Sequence, residues 1–353
     1  MVLTSVTPLP QTPDSEPERP TLKTIAAATG LAIATVSRAL KDAPDIGEET
    51  KRRVRETAAL LGYRPNRAGV RLRTGKTNVI ALVLSTEADV MNHTARMIYS
   101  IAAALRSTAY HLVVMPYFSD EDPMVPIRYI VETGSADGVV LNQIMPDDPR
   151  IRYMSERGFP FVAHGRSNMG IDHPYFDFDN EAFARLAVRA LTARHRRRLF
   201  MVAPPREHSY SGHMITGFAD EAALHGATFE IAQGITSDST SEQIEEAVTR
   251  RCTAPSPPDG LLVGSTTAAM AAVNGAERAG LRIGKDFDVV AKEAISFLRR
   301  FRKEIIVVHE DVGRAGDFLA RALMAAIERR APEHGQFLDK PDQVEAGKFP
   351  HRR

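Results

Sequence analysis

The chain is poor in the features that mark several protein classes. It has one cysteine, Cys252, so it can build neither an internal disulfide nor a cysteine-rich zinc site. Its longest apolar runs, such as Val79–Leu84, reach about six residues, far below the ~20 that a membrane helix needs. Residues 1–19 lack the basic start and apolar segment of a secretory signal, and their Pro, Ser and Thr content predicts a disordered leader. No phosphate-binding Gly-rich loop, dinucleotide fingerprint or GxSxG elbow occurs, and the eleven histidines show no metal spacing such as HExxH. Accordingly no catalytic residue, cofactor or metal is assigned, and a cytoplasmic protein that is not an enzyme is expected.

What is present is ordinary globular composition. The 353 residues are 43% hydrophobic and 25% charged, which fits two or three domains. The net charge of +1 hides an asymmetry, because Pro20–Lys76 carries twelve Lys/Arg against five Asp/Glu while the rest of the chain is mildly acidic. A basic head on an acidic body suits an anion-binding module joined to a domain for a neutral ligand. On charge alone a solvated basic face is an equal reading.

From Thr21 to Tyr63 the pattern predicts three short helices. The first stops at Gly30 and the second near Asp42, while the third begins around Glu48 and ends at Gly62. The stretch TLKTIAAATGLAIATVSRALKD has helix–turn–helix form. Val36, Ala39 and Leu40 face inward, leaving Ile33, Ala34, Ser37 and Arg38 on the outer face. Short side chains there would let the helix enter a major groove, where Arg38 can pair bidentately with guanine. Thr21, Thr35 and Thr50 are hydroxyl donors suited to phosphates.

From Asn78 onward the rhythm changes to short β-branched runs, among them VIALVL, HLVVM, GVVL, PFVA, RLFMV, GLLV, FDVV and IIVV, separated by amphipathic helical stretches. This alternation predicts a parallel α/β architecture, and its extent favours two lobes with a ligand crevice at the strand C-termini.

The segments TIAAATG, ATVSRAL and GYRPNRAGVRLRTGKTNVIALV resemble the lactose-repressor (LacI/GalR) family of bacterial transcription regulators, and the resemblance runs from about Thr21 through most of the chain. It implies a small all-α helix–turn–helix head plus an α/β two-lobed effector domain of the type I periplasmic-binding-protein kind. The expected domains are a leader at 1–19, a DNA-binding domain at 20–65, a hinge helix at 66–76 and an effector and dimerisation domain at 77–353. Within the last, the N-lobe is expected at about 78–177 plus 309–336, and the C-lobe at about 178–308 plus 337–353. Leu22 joins the DNA-contacting residues above, together with Asn66, Arg67, Gly69 and Leu72 of the hinge. In the family the hinge helix forms on the operator, and the leucine matching Leu72 wedges into the minor groove. Gly69 lowers helix propensity by ~1 kcal/mol relative to Ala, which fits a helix that folds only on binding.

The resemblance also places effector contacts at Asn92, His93, Asn142, His164, Arg166, Ser211, His213, Met214, Ser265 and Glu293. These follow predicted strands, apart from those in the Tyr210–Met214 turn. The implied partners are palindromic operator DNA, a second copy of the chain and a small-molecule effector, with no membrane. The family's usual effector is a sugar or glycoside, and HPYFDFDNEAF is similar to regulators of α-glucoside use. The chain departs from the family in having Ala32 and Gly47 in place of helix-capping Ser or Thr. It also has Ser265-Thr266 and Lys292-Glu293 where an Asn-Asp and an acidic pair are usual. The implied function is repression released by a metabolite, with nucleoid association through the operator. A transporter's solute-binding protein, or a sugar-handling enzyme on the same fold, are the alternatives.

Overall fold

The computed structural model describes residues 20–63, 71, 75–85, 91–118, 120–294, 296–330 and 335–341. The leader and the hinge residues Asn66, Arg67, Gly69 and Leu72 lie outside them. The chain divides into two compact units at Thr77/Asn78.

The first unit comprises α1 (Leu22–Thr29), α2 (Ile33–Ala39) and α3 (Glu48–Leu60). Thr21 starts α1 with a capping box, in which its amide and hydroxyl pair reciprocally with Thr24. Gly30, at φ 68°, reverses the chain in the left-handed region open to glycine. Ile25, Val36, Ala39 and Val54, all fully buried, form the small core. At its edge Lys51 is buried between Glu48 (2.7 Å) and Asp42 (3.1 Å), and Arg53 donates to the Thr29 carbonyl at 2.6 Å. As the sequence implies, neither Ala32 nor Gly47 supplies a side-chain cap to the helix it precedes.

The second unit is built on two parallel sheets. The first takes β1 (Val79–Ser85), β2 (His111–Tyr117), β3 (Gly138–Leu141), β4 (Phe161–His164), β5 (Tyr175–Phe178) and β11 (Gln336–Asp339), in the order β11-β5-β4-β3-β1-β2. The second takes β6 (Arg198–Val202), β7 (Thr228–Ile231), β8 (Gly260–Val263), β9 (Asp288–Glu293) and β10 (Ile306–His309), in the order β10-β9-β8-β6-β7. The two orders repeat one pattern, with the first strand of each sheet lying between its second and third. The β-branched runs are continuous rather than alternating because helices cover both faces of each sheet.

In the first sheet Ile80 and Leu82 pack beneath α4 (Met91–Leu105) and α12 (Val312–Ile327), while Ala81 and Val83 pack with α5 (Met124–Thr133) and α6 (Pro149–Glu156). In the second, Leu199, Leu262 and Val290 pack with α7 (Asn180–Thr192) and α8 (Ser209–Leu224). Phe200, Leu261 and Val289 face α9 (Ser241–Thr253) and α10 (Thr266–Arg278). A short helix, α11 (Leu298–Phe301), precedes β10.

The chain crosses from the first sheet to the helices of the second at Phe178–Asn180, and returns at Glu310 into α12. Strand β11 pairs with β5, so residues 336–339 lie in the first sheet, whereas the sequence reading assigned residues from 337 onward to the second lobe. Strands β5 (YFDF) and β11 (QFLD) hold no β-branched residue and β7 (TFEI) interrupts its own with a charge, which is why none was picked out. The Arg194–Arg198 run is tied down. Arg194 and Arg196 pair with buried Asp288 at 3.0 and 2.7 Å, and Arg198 pairs with Asp259 at 3.1 Å.

Candidate functional site

The C-terminal ends of the two sheets and the two crossing segments enclose a cavity of about 130 Å³. Asn142 and Gln143 reach it from the end of β3, His164 from β4 and Asp177 from β5. The second sheet contributes Ser265 after β8 and Lys292 on β9, while His93 comes from α4 and Tyr210 from the first turn of α8. Asn180 and Glu310 enter at the crossings.

Glu310 organises the electrostatics. Its buried carboxylate has Lys292 Nζ 2.8 Å from Oε2, His93 Nε2 3.4 Å from Oε1 and His164 Nε2 3.9 Å from Oε1. Burial alone would raise this acid, but Lys292 and the two imidazoles outweigh it and hold the carboxyl well below its usual range. Lys292 Nζ also donates to Asn180 Oδ1 at 3.0 Å, and its ammonium lies 5.1 Å from the Phe178 ring centroid. One amine thereby touches both crossing segments. His164 is pushed down to about 3 by burial, with His93 adding to the effect, so it is neutral near pH 7. Its Nδ1 lies 3.3 Å from Asn142 Oδ1. Burial pushes the Asp177 carboxyl up to about 7, although the Arg166 guanidinium 3.3 Å away opposes that shift.

Of the effector residues expected from sequence, His93, Asn142, His164 and Ser265 come together in this lining. Ser265 also caps α10 through a bond from the Ala268 amide. Arg166 stands behind the lining, paired with Asp177. The expected Tyr210–Met214 turn is the start of helix α8. There Ser211 is fully buried with its Oγ donating to the Pro204 carbonyl at 2.8 Å, and Met214 is fully buried in the core beneath α7 and α8. His213 is half-buried and outside the lining.

Glu293 accepts hydrogen bonds from the Phe297 and Leu298 amides at 3.1 and 2.9 Å, so it holds the entry to α11 and leaves the cavity to its neighbour Lys292. Adjacent strand residues point to opposite faces, and Lys292 shares the face of Val290, toward α7 and α8. The side chain of Asn92 lies outside the described residues. Sequence reasoning also missed Asp177 and Asn180, which lie on and just past a strand it had not recognised, and Glu310, which follows the recognised run IIVV but was not assigned to the crevice.

In the first unit, Ile33, Ala34 and Arg38 lie exposed on α2, with Thr35 and Ser37 half-buried beside them. Arg38 forms an ion pair with Asp45. Thr21 is exposed at the start of α1, Leu22 packs against the small core, and Thr50 is half-buried in the first turn of α3. A face of short side chains around one arginine, on the second helix of a helix–turn–helix, can present a flat polar edge to a groove.

Comparison with known proteins agrees with both units. Residues 21–66 match the model of bacterial regulatory proteins, lacI family, and residues 188–347 match a periplasmic binding protein-like domain. The chain is 31% identical over 312 residues to the HTH-type transcriptional regulator AglR of Rhizobium meliloti (strain 1021), covering 87% of each. In fold it resembles the lac repressor dimer bound to operator and the anti-inducer ONPF, with a TM-score of 0.81 at 18% identity over 92% of this chain and 97% of that one. It also resembles the transcriptional regulator CelR in its cellobiose complex, with a TM-score of 0.65 at 23% identity over 92% and 98%. A helix–turn–helix head, a two-sheet effector-domain fold and a relative matched along most of its length converge: the chain belongs to the lacI family of bacterial transcriptional regulators, and is a DNA-binding regulator of transcription.

Proposed function

We propose that this regulator is a cytoplasmic repressor whose hold on a palindromic operator is controlled by a saccharide bound in the cavity between the two sheets. The observation that carries the reading is the lining itself. Amide, hydroxyl and imidazole groups of Asn142, Asn180, Tyr210, Ser265 and His164 surround a Lys292–Glu310 pair that is already charge-neutral. Such groups both donate and accept, which matches an uncharged polyhydroxylated ligand. The relative of known structure in complex with cellobiose supports the same ligand class. A ligand there would bridge groups from both sheets and both crossings, so it would bind one arrangement of the lobes better than another. Only that difference can shift DNA affinity.

Ile33, Ala34, Thr35, Ser37 and Arg38 are the base-facing set in this reading, with Thr21, Leu22 and Thr50 at the backbone. Asn66, Arg67, Gly69 and Leu72 complete the interface as a hinge that enters the minor groove. A second copy of the chain is the natural partner, because two recognition helices must meet two half-sites. Val113 and Val114 on edge strand β2 and Tyr99 on α4 are exposed apolar side chains suited to such a contact. Helix–turn–helix geometry favours this reading over a transporter's solute-binding protein or a sugar-handling enzyme. Selection of bound fragments from a genomic library by the purified chain tests it. Enrichment of one palindromic site is expected, and retention of fragments without sequence preference contradicts the reading.

A further inference from the structure

The cavity contains a convergence of nitrogen and oxygen ligand atoms that a saccharide site does not by itself require. His93 Nε2 and His164 Nε2 both face Glu310 Oε1, at 3.4 and 3.9 Å, and the three ligand atoms lie within 4.8 Å of one another. They come from α4, from the end of β4 and from the crossing into α12, so no spacing in the sequence could have revealed them.

The tautomer of His164 sharpens the point. Its Nδ1 lies 3.3 Å from Asn142 Oδ1, which can only accept, so Nδ1 carries the proton and Nε2 presents a lone pair. Among the described residues, that Nε2 is buried with no hydrogen-bond partner, and the atom it faces is a carboxylate oxygen. Two acceptors aimed at each other across 3.9 Å need something positive between them. Lys292 does not fill the gap, because it sits on the opposite oxygen, Oε2, at 2.8 Å. It leaves Oε1 open.

We propose that His93, His164 and Glu310 form a binding site for a divalent transition-metal ion of the zinc type. Zinc holds imidazole nitrogens and carboxylate oxygens at about 2.0–2.2 Å, which sets neighbouring ligand atoms of a tetrahedron about 3.4 Å apart. The His93–Glu310 separation already has that value, whereas His164 must move closer to both, since it stands 3.9 Å from Glu310 Oε1 and the three ligand atoms are bounded at 4.8 Å. Two histidines and one carboxylate leave a fourth position, which opens onto the cavity that all three residues line. Asn142 would act as the outer partner that fixes the ring of His164, the role such hydrogen bonds commonly play beside a metal. Lys292 would hold the second carboxylate oxygen and keep the carboxylate monodentate. A hydroxyl-bearing ligand could then complete the coordination.

The test uses the untagged full-length chain, stripped with chelator and titrated with zinc against a chromophoric indicator. One ion per chain is expected, removed in the His93→Ala/His164→Ala double variant and weakened by about tenfold or more in Asn142→Ala. Cobalt added to the wild-type chain is an independent readout that needs no variant. The intense visible bands of tetrahedral coordination are expected, and the weak spectrum of the hydrated ion overturns the site. Equal stoichiometry and affinity in a double variant that retains the wild-type circular dichroism also overturn it. Operator release by saccharides, measured in excess chelator, separates the two ideas. If release persists there while zinc fails to bind, the metal site falls and the sugar-controlled repressor stands.

Discussion

Lys292 Nζ and Glu310 Oε2 lie 2.8 Å apart with both side chains largely buried, joining strand β9 to the segment that leaves the second sheet for the first. A buried pair of this kind is poor evidence for net stability, yet breaking it is costly because the remaining charge is stranded. Lys292→Met should therefore destabilise the second unit by about 3 kcal/mol, and Lys292→Met/Glu310→Gln should recover most of that loss. Urea unfolding in the presence of chelator measures both. A single variant as stable as the parent would show that Glu310 is neutralised by other means.

Asp177 gives the fold a pH signature. Its carboxyl is raised to about 7 in the folded chain by burial, against about 3.9 unfolded, so the folded state holds the extra proton between these values. The associated stability is fully present below about pH 4 and is lost as pH rises through 7. His164, depressed to about 3, acts in the opposite direction over much of the same range, so the clean observable is a difference between variants. The stability of wild type minus Asp177→Asn should fall on going from pH 5 to 7.5, with a limiting slope of about 1.4 kcal/mol per pH unit. Thermal unfolding at several pH values checks it. A flat difference refutes the raised carboxyl.

Helices α7 and α8 approach so closely at Gly217 that an added Cβ would sit 2.3 Å from the Glu181 carbonyl oxygen. Backbone cannot yield as a side-chain tip can. Gly217→Ala should cost about 1–3 kcal/mol, the usual penalty of overpacking, despite the better helix propensity of alanine. The denaturant midpoint reports this directly, and a rise in stability would contradict the close approach.

In the first unit, Arg38 is expected to read a base once it is released from Asp45. Arg38→Ala should cost about 1–3 kcal/mol of specific binding and relax the preference at one position of each half-site. Site selection with the variant measures both effects. An unchanged consensus removes Arg38 from the base-reading set.

The helical head was legible because its signals are local. Gly30 and Gly62 stop helices, and the positions Val36 and Ala39 are one turn apart on a single face. The parallel sheets were legible from their β-branched runs. Three things were not. Continuous apolar strands buried on both faces carry no parity, so the choice between Lys292 and Glu293 could not be made without the neighbouring helices. The strand β11 (QFLD) holds no β-branched residue to mark it. Glu310 and Asn180 sit at chain crossings, where proximity depends on how two sheets meet and on nothing within a few residues of either. Four of the ten expected effector residues line the cavity, Asn142, His164 and Ser265 because their strands end there and His93 from the start of α4. The charged pair that organises the cavity was found only in three dimensions.

The most direct test of the account is the affinity of the full-length chain for its selected palindromic duplex, measured by fluorescence anisotropy with and without a panel of mono- and disaccharides. The account predicts that at least one saccharide weakens binding by about 5–150-fold, the range of ordinary coupling energies, and that Asn142→Ala blunts the response while leaving sugar-free DNA binding intact. An operator affinity that no saccharide changes would contradict it.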